Sequence, residues 1–198
     1  GLTEETYKDQ IRTNKLVEYA VKKAAEKELT DDAYKSAYEA YTPEVTARII
    51  KLDDETKAKE VLASAQAEGA DFAQLAKDNS TDTNTKDDGG KITFDSSSTT
   101  VPTEVKTAIF ALDAGKVGAS VISVLDTSTY TTSYYVVKLE SKTEKSDNWK
   151  DYKDKLKEII LAEKQADSTF VSNVIKTALQ DANVKVKDSA FQNLLSQY

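Results

Sequence analysis

The chain has 198 residues, 39% hydrophobic and 31% charged, which suits one or two domains with a buried core and a heavily solvated surface. Its formal net charge of -7 is spread as -3 over residues 1–44, -4 over 45–142 and 0 over 143–198, so no segment has the basic footprint that a phosphate backbone requires, and nucleic acid is excluded as a partner. Histidine, cysteine and methionine are all absent; disulfides and cysteine-type metal sites are ruled out, no metal or cofactor is expected, and the side chain best suited to acid, base or ligand chemistry near neutral pH is missing.

The elements follow in order. Thr3 can cap a first helix carrying Tyr7, Ile11, Leu16 and Tyr19 at near-helical spacing. Thr30 with Asp31 and Asp32 starts a second, with Tyr34, Tyr38 and Tyr41 along it and Pro43 as its stop. VTARIIKL is β-branched and apolar and predicts a strand. Asp53 or Asp54 caps a helix ending at Gly69, and Asp71 caps a short helix through Phe72, Leu75 and Ala76. The DDGG run at 87–90 is a turn, more in keeping with solvated acids than with a calcium loop, and a KITF strand follows it. Val101 to Leu112 predicts a helix, with Pro102 at its start and Gly115 after its end. Val121 to Leu125 and Ser133 to Leu139 predict two strands joined by a loop rich in serine, threonine and tyrosine. From Asp147 the helical period returns, with Trp149, Tyr152, Leu156, Ile159 and Ile160 on one stripe, continued by Phe170, Val174 and Leu179. Short VKVKD and FQNLL segments end the chain.

No apolar run approaches the roughly 18 residues of a membrane-crossing helix, and the acidic, polar first residues do not read as a signal peptide. Each terminal helical block needs a partner for its apolar stripe, and the economical arrangement packs the two together as one lobe with the centre inserted between them. The expected organisation is therefore α+β: residues 1–43 and 143–198 form a helical lobe, and residues 44–142 form a small antiparallel sheet with surrounding helices.

The words ARIIKL, GADFAQLAKDNSTD, GGKITF, AIFALDAGKV and YYVVKL, in that order, resemble a parvulin-type peptidyl-prolyl isomerase domain. With the flanking phrase LTDDAYKSAYEAYTPEVTARII, the chain resembles the PrsA-type foldase lipoproteins, including their streptococcal proteinase-maturation branch. That resemblance implies a chaperone lobe for unfolded or partly folded secreted proteins. It also implies a location on the outer face of a Gram-positive cell membrane, held by an N-terminal lipid whose cysteine this chain lacks. A half-exposed lobe leaves room for a homodimer with exchanged helices.

Carried over position by position, the resemblance places the two parvulin histidines at Arg48 and Tyr135. The pocket's methionine and phenylalanine fall on Val101 and Val105, and the threonine of the closing hairpin falls near Tyr130. Asp82 matches the Asp/Cys position, and Ile92 the apolar position after the double glycine. Asp82, Tyr135 and Arg48 are thus the candidate catalytic residues, and Ile92, Val101, Val105 and Tyr130 the candidate substrate-binding residues. Arg48 is expected either to reach solvent from the strand or to pair with Asp82 and stack on Tyr135.

The prolyl amide barrier is about 18–20 kcal/mol, and lowering it takes an apolar slot for the ring and polar groups that favour the twisted amide. With both histidines replaced and two large wall residues reduced to valine, the expected function is a foldase whose isomerase activity is weak or absent. An active isomerase using Asp82, Tyr135 and Ile92 is the alternative. A third reading, an adhesion or host-interaction domain, rests only on exposure outside the cell.

Overall fold

A computed structural model describes residues 3–182 of the protein; the VKVKD and FQNLL segments lie outside the described residues. The chain divides into two compact units: Gly1–Ala40 with Asp147–Tyr198, and Tyr41–Ser146.

The first unit is helical. Helix α1 (Glu4–Glu26) opens on a capping box in which the Thr3 and Thr6 side chains each accept the other's backbone N–H, with Glu4 and Glu5 at its positive end. The Thr30 hydroxyl accepts the Ala33 N–H at the start of α2 (Asp31–Ala40), and the helix stops one residue before Tyr41. The stripe from Trp149 onward is not one helix. Asn148 accepts the Lys150 N–H and holds Trp149–Tyr152 in a single 3-10 turn before α6 (Lys153–Ala166). Asp167 then breaks the run by accepting the Thr169 and Phe170 N–H groups at the start of α7 (Ser168–Asp181). Helix α6 packs against α1, α2 and α7. Leu156, Ile160, Val21, Ala25 and Tyr34 are buried, and Tyr34 stacks on Trp149 with ring centroids 5.2 Å apart. The stripe expected to seek a partner on α1 remains outside: Tyr7, Ile11, Leu16 and Tyr19 are all exposed.

The second unit is an antiparallel four-stranded sheet in the order β2-β1-β4-β3, with strands Val45–Leu52 (β1), Lys91–Phe94 (β2), Ile122–Asp126 (β3) and Thr131–Lys142 (β4). The central strand β1 is covered on both faces, which is why VTARIIKL is apolar at most positions rather than alternating. On one face Val45, Ala47, Ile49, Tyr135, Val137 and Leu139 join Val105 and Ile109 of α5 (Thr103–Phe110) in a core. On the other, Ile50, Leu52 and Val136 meet Ala58, Val61 and Ala65 of α3 (Glu55–Gln66), with Phe72 and Ala76 of α4 (Phe72–Asn79). Asp54 and Asp71 cap α3 and α4 by accepting the Lys57 and Gln74 N–H groups at 2.7 and 3.0 Å. Helix α5 is shorter than the Val101–Leu112 span because Pro102 sits at its N-cap in extended geometry, and Val101 belongs to the loop before it. Strand β4 outruns the expected 133–139 at both ends, since β3 pairs with it from Thr131 and β1 continues to pair with it as far as Lys142.

Candidate functional site

A cavity of about 320 Å³ opens on the α5 face of the sheet. Its apolar wall is Ile49, Ile92, Val101 and Pro102, and its polar groups include Asp82, Lys51, Thr85 and Tyr135. The pleat selects these residues. Lys51 pairs directly with Tyr135 across β1 and β4, and Ile49 lies two residues earlier on the same face.

The loop after α4 brings in the carboxylate. The Ser80 hydroxyl, buried against β1, accepts the N–H groups of Lys51 and Asp82 at 3.2 and 3.3 Å, and Thr81 donates its N–H to the Lys51 carbonyl at 2.8 Å. This staples residues 80–82 along the end of β1. Asp82 then accepts the Thr85 hydroxyl at 2.6 Å and the Asn84 N–H at 3.1 Å, which fixes its carboxylate. The opposite rim is held by Lys106, which donates to the Ser96 and Ser98 carbonyls and anchors the loop that carries Thr100, Val101 and Pro102.

Tyr135 is only 8% exposed. Burial pushes its hydroxyl above the usual tyrosine range, and the nearby Asp82 and Asp53 carboxylates push it the same way. The cavity therefore holds a neutral phenol, a hydrogen-bond donor, at physiological pH. Because the folded-state value is raised, this residue's contribution to stability is present below about pH 10 and is lost as the pH rises through the folded-state value. Phenolate absorbance followed against pH for the protein and for Tyr135→Phe should show that the phenol removed is one of those that ionise late.

Of the residues singled out in the sequence, the structure brings Asp82, Tyr135, Ile92 and Val101 together and leaves three apart. Val105 is fully buried on α5 behind the cavity lining. Tyr130 is 84% exposed at the β3–β4 turn with φ of 54°, outside the lining. Arg48 lies on the opposite face of β1, so the pairing with Asp82 and Tyr135 is not formed. Its guanidinium instead pairs with Glu140 and donates to the Asp88 and Gly89 carbonyls at 3.0 and 2.8 Å. The pleat explains this: adjacent residues of a strand point to opposite faces. Ile49 and Lys51 are the β1 residues in the cavity, and counting the strand's parity from Tyr135 and its paired residue would have found them. Arg48→Ala should lower stability by about 1–2 kcal/mol, through two unpaired carbonyls and a lone Glu140, while leaving the cavity lining in place. Urea denaturation beside amide spectra of the lining residues checks both halves.

The helical unit has grooves of its own. One of about 880 Å³ runs between α1 and α6, with Val17, Tyr19, Val21, Leu161, Ala162 and Val171 among its walls. Another, of about 280 Å³, is almost wholly apolar and is lined by Leu16, Val17, Ala20, Val174, Ile175 and Leu179 of α1 and α7.

Residues 22–141 match the family described as rotamase, PPIC-type PPIASE domain. The whole chain is 66% identical to a foldase protein PrsA of Streptococcus gordonii and 64% identical to one of Streptococcus sanguinis, spanning 63% and 58% of their lengths. Among solved structures, foldase protein PrsA from Streptococcus pneumoniae superposes with a TM-score of 0.92 at 62% identity, the match covering all of this chain and 72% of that one. The chain belongs to the PrsA foldases. The foldase protein PrsA of Lactococcus lactis superposes with a TM-score of 0.76 at 38% identity, over all of this chain and 70% of that one. The α+β fold with a parvulin-like sheet and helical segments is that of the PrsA family. Within that frame, this PrsA chain builds its cavity from Ile49, Lys51 and Tyr135 on β1 and β4, with no imidazole in its entire sequence.

Proposed function

We propose that this protein holds partly folded secreted proteins outside the cell membrane, and that its parvulin-like unit binds prolyl segments while accelerating their isomerisation weakly or not at all. The observation that carries this reading is the cavity's composition. It has an apolar wall that suits a proline ring, and it has no imidazole, the group that the parvulin resemblance implies at two positions. Ile49 offers no polar group to a twisting amide, and Val101 gives the ring a smaller wall than methionine would. Lys51 and Asp82 are charged, but Asp82 is already engaged by Thr85 and Asn84.

The helical unit supplies the holding surface. The grooves along α1, α6 and α7, with Tyr7, Ile11, Leu16 and Tyr19 exposed beside them, offer apolar and tyrosine surface to a client. In the family resemblance a lipid outside this chain ties the lobe to the membrane, and a second copy can cover the same stripe. A proline-containing tetrapeptide titrated into the protein should perturb amide signals around Asp82, Ile92, Val101 and Tyr135. Perturbations absent there would remove the cavity from the account.

One observation favours the second reading, an active isomerase. The Tyr135 hydroxyl is kept protonated inside the cavity and can donate to the prolyl carbonyl as it twists. Abolition of a substantial rate by Asp82→Ala or Tyr135→Phe would establish that reading.

A further inference from the structure

The open edge of the sheet carries an inference that does not depend on the cavity. Strand β3 pairs with β4 on one side only, and among the described residues its other side makes no backbone hydrogen bonds. Soluble proteins blunt such edges with proline, charged side chains (lysine above all), bulges or very short strands. β3 has one charge, Asp126 at its very end, and none of the other devices: Ile122–Leu125 are uncharged, its register with β4 is unbroken, and it has five residues. The other edge of the sheet, β2, has four residues and begins at Lys91 behind the Gly89–Gly90 turn. Side chains add to the contrast. Ile122 and Val124 pack inward against the core, while Leu125 is exposed on the opposite face, and the exposed Tyr130 ring stands at the adjoining turn. That turn is itself ordered. Asp126 accepts the Ser128 N–H, the Ser128 hydroxyl and the Thr129 N–H, and these bonds draw its carboxyl down to about 2.

We infer that the β3 edge is a docking site for an extended, apolar-alternating segment of a client polypeptide, which adds to the sheet as a fifth strand. A row of unpaired N–H and C=O groups is satisfied by an extended backbone and by little else. Alternate client side chains would then lie beside Leu125 on one face and beside Ile122 and Val124 on the other. The choice of a client over a second copy follows from charge. At this edge a second copy would set its own Asp126 beside the one already there, whereas a neutral or basic unfolded segment brings no like charge. In a foldase, such an edge binds clients through their backbone and so tolerates many sequences.

The test uses the full chain and a short fluorescein-labelled peptide of alternating valine and threonine with lysine at its ends and no proline. The same peptide N-methylated at every residue has no backbone donor on either edge and its side chains unchanged. The unmodified peptide should bind, should protect the amides of Ile122–Asp126 from hydrogen exchange, and should bind roughly tenfold or more tightly than the N-methylated form. Leu125→Lys, at an exposed position, should weaken binding several-fold while leaving the melting temperature unchanged. Equal affinity for the two peptides would overturn the inference. So would protection confined to α1, α6 and α7, or a sedimenting dimer that Leu125→Lys dissociates.

Discussion

Gly90→Ala should lower the stability of the sheet unit by about 3 kcal/mol or more, the largest loss expected from deleting or adding a single methyl group in this chain. Gly90 has φ of 75°, a conformation unfavourable to any residue with a Cβ. A Cβ built there would stand 2.1 Å from the Ile49 carbonyl oxygen, a backbone atom that cannot swing aside. The same glycine accepts the Ile49 N–H at 2.8 Å, which holds the start of β2 against β1. Relieving the clash therefore means breaking that bond and displacing Ile92 and Thr93 in the cavity wall. Gly115 is the internal control. Its φ is 81°, but nothing lies within 4 Å of its Cβ position, so Gly115→Ala should cost only the left-handed penalty of about 1–2 kcal/mol. Urea denaturation of both variants separates the two contributions. Equal losses would mean that the contact with Ile49 is not the constraint described.

The second large effect is a gain. The double variant Ile49→His, Tyr135→His should raise prolyl isomerase activity by about tenfold or more, since positioned groups of this kind contribute on the order of a hundredfold or more elsewhere. Both positions lie in the cavity lining on adjacent strands, so two imidazoles there would be neighbours. Ile49 is buried, and an imidazole in its place should cost about 1–3 kcal/mol through a poorly paired polar group. Arg48→His is the matching negative control, because its side chain belongs to the other face beside Glu140. Activity gained from Arg48→His rather than from the double variant would contradict the assignment of faces.

That assignment marks where the sequence was legible and where it was not. Local chemistry read well. The Thr3, Asp54 and Asp71 caps, the turn at Gly89–Gly90 and the apolar run of β1 follow from side chains acting within a few residues of themselves. The site residues that the parvulin resemblance implies at Asp82, Ile92, Val101 and Tyr135 meet in one cavity. Arg48 lies outside that cavity because adjacent residues of a strand face opposite ways, and the pairing of β1 with β4, not a local preference, decides which of them face it. Tyr130 failed because turn geometry, not pattern, decides whether a hairpin residue points inward. The exposed stripe of α1 failed because tertiary packing chose Val21 and Ala25 instead.

The central claim is that the cavity binds prolyl segments without efficiently turning them. Cis-to-trans exchange of a proline-containing tetrapeptide, measured at protein concentrations that saturate its binding, tests this most directly. The account predicts a rate close to the uncatalysed exchange, which takes tens to hundreds of seconds at room temperature. Efficient acceleration that disappears in Asp82→Ala would contradict it.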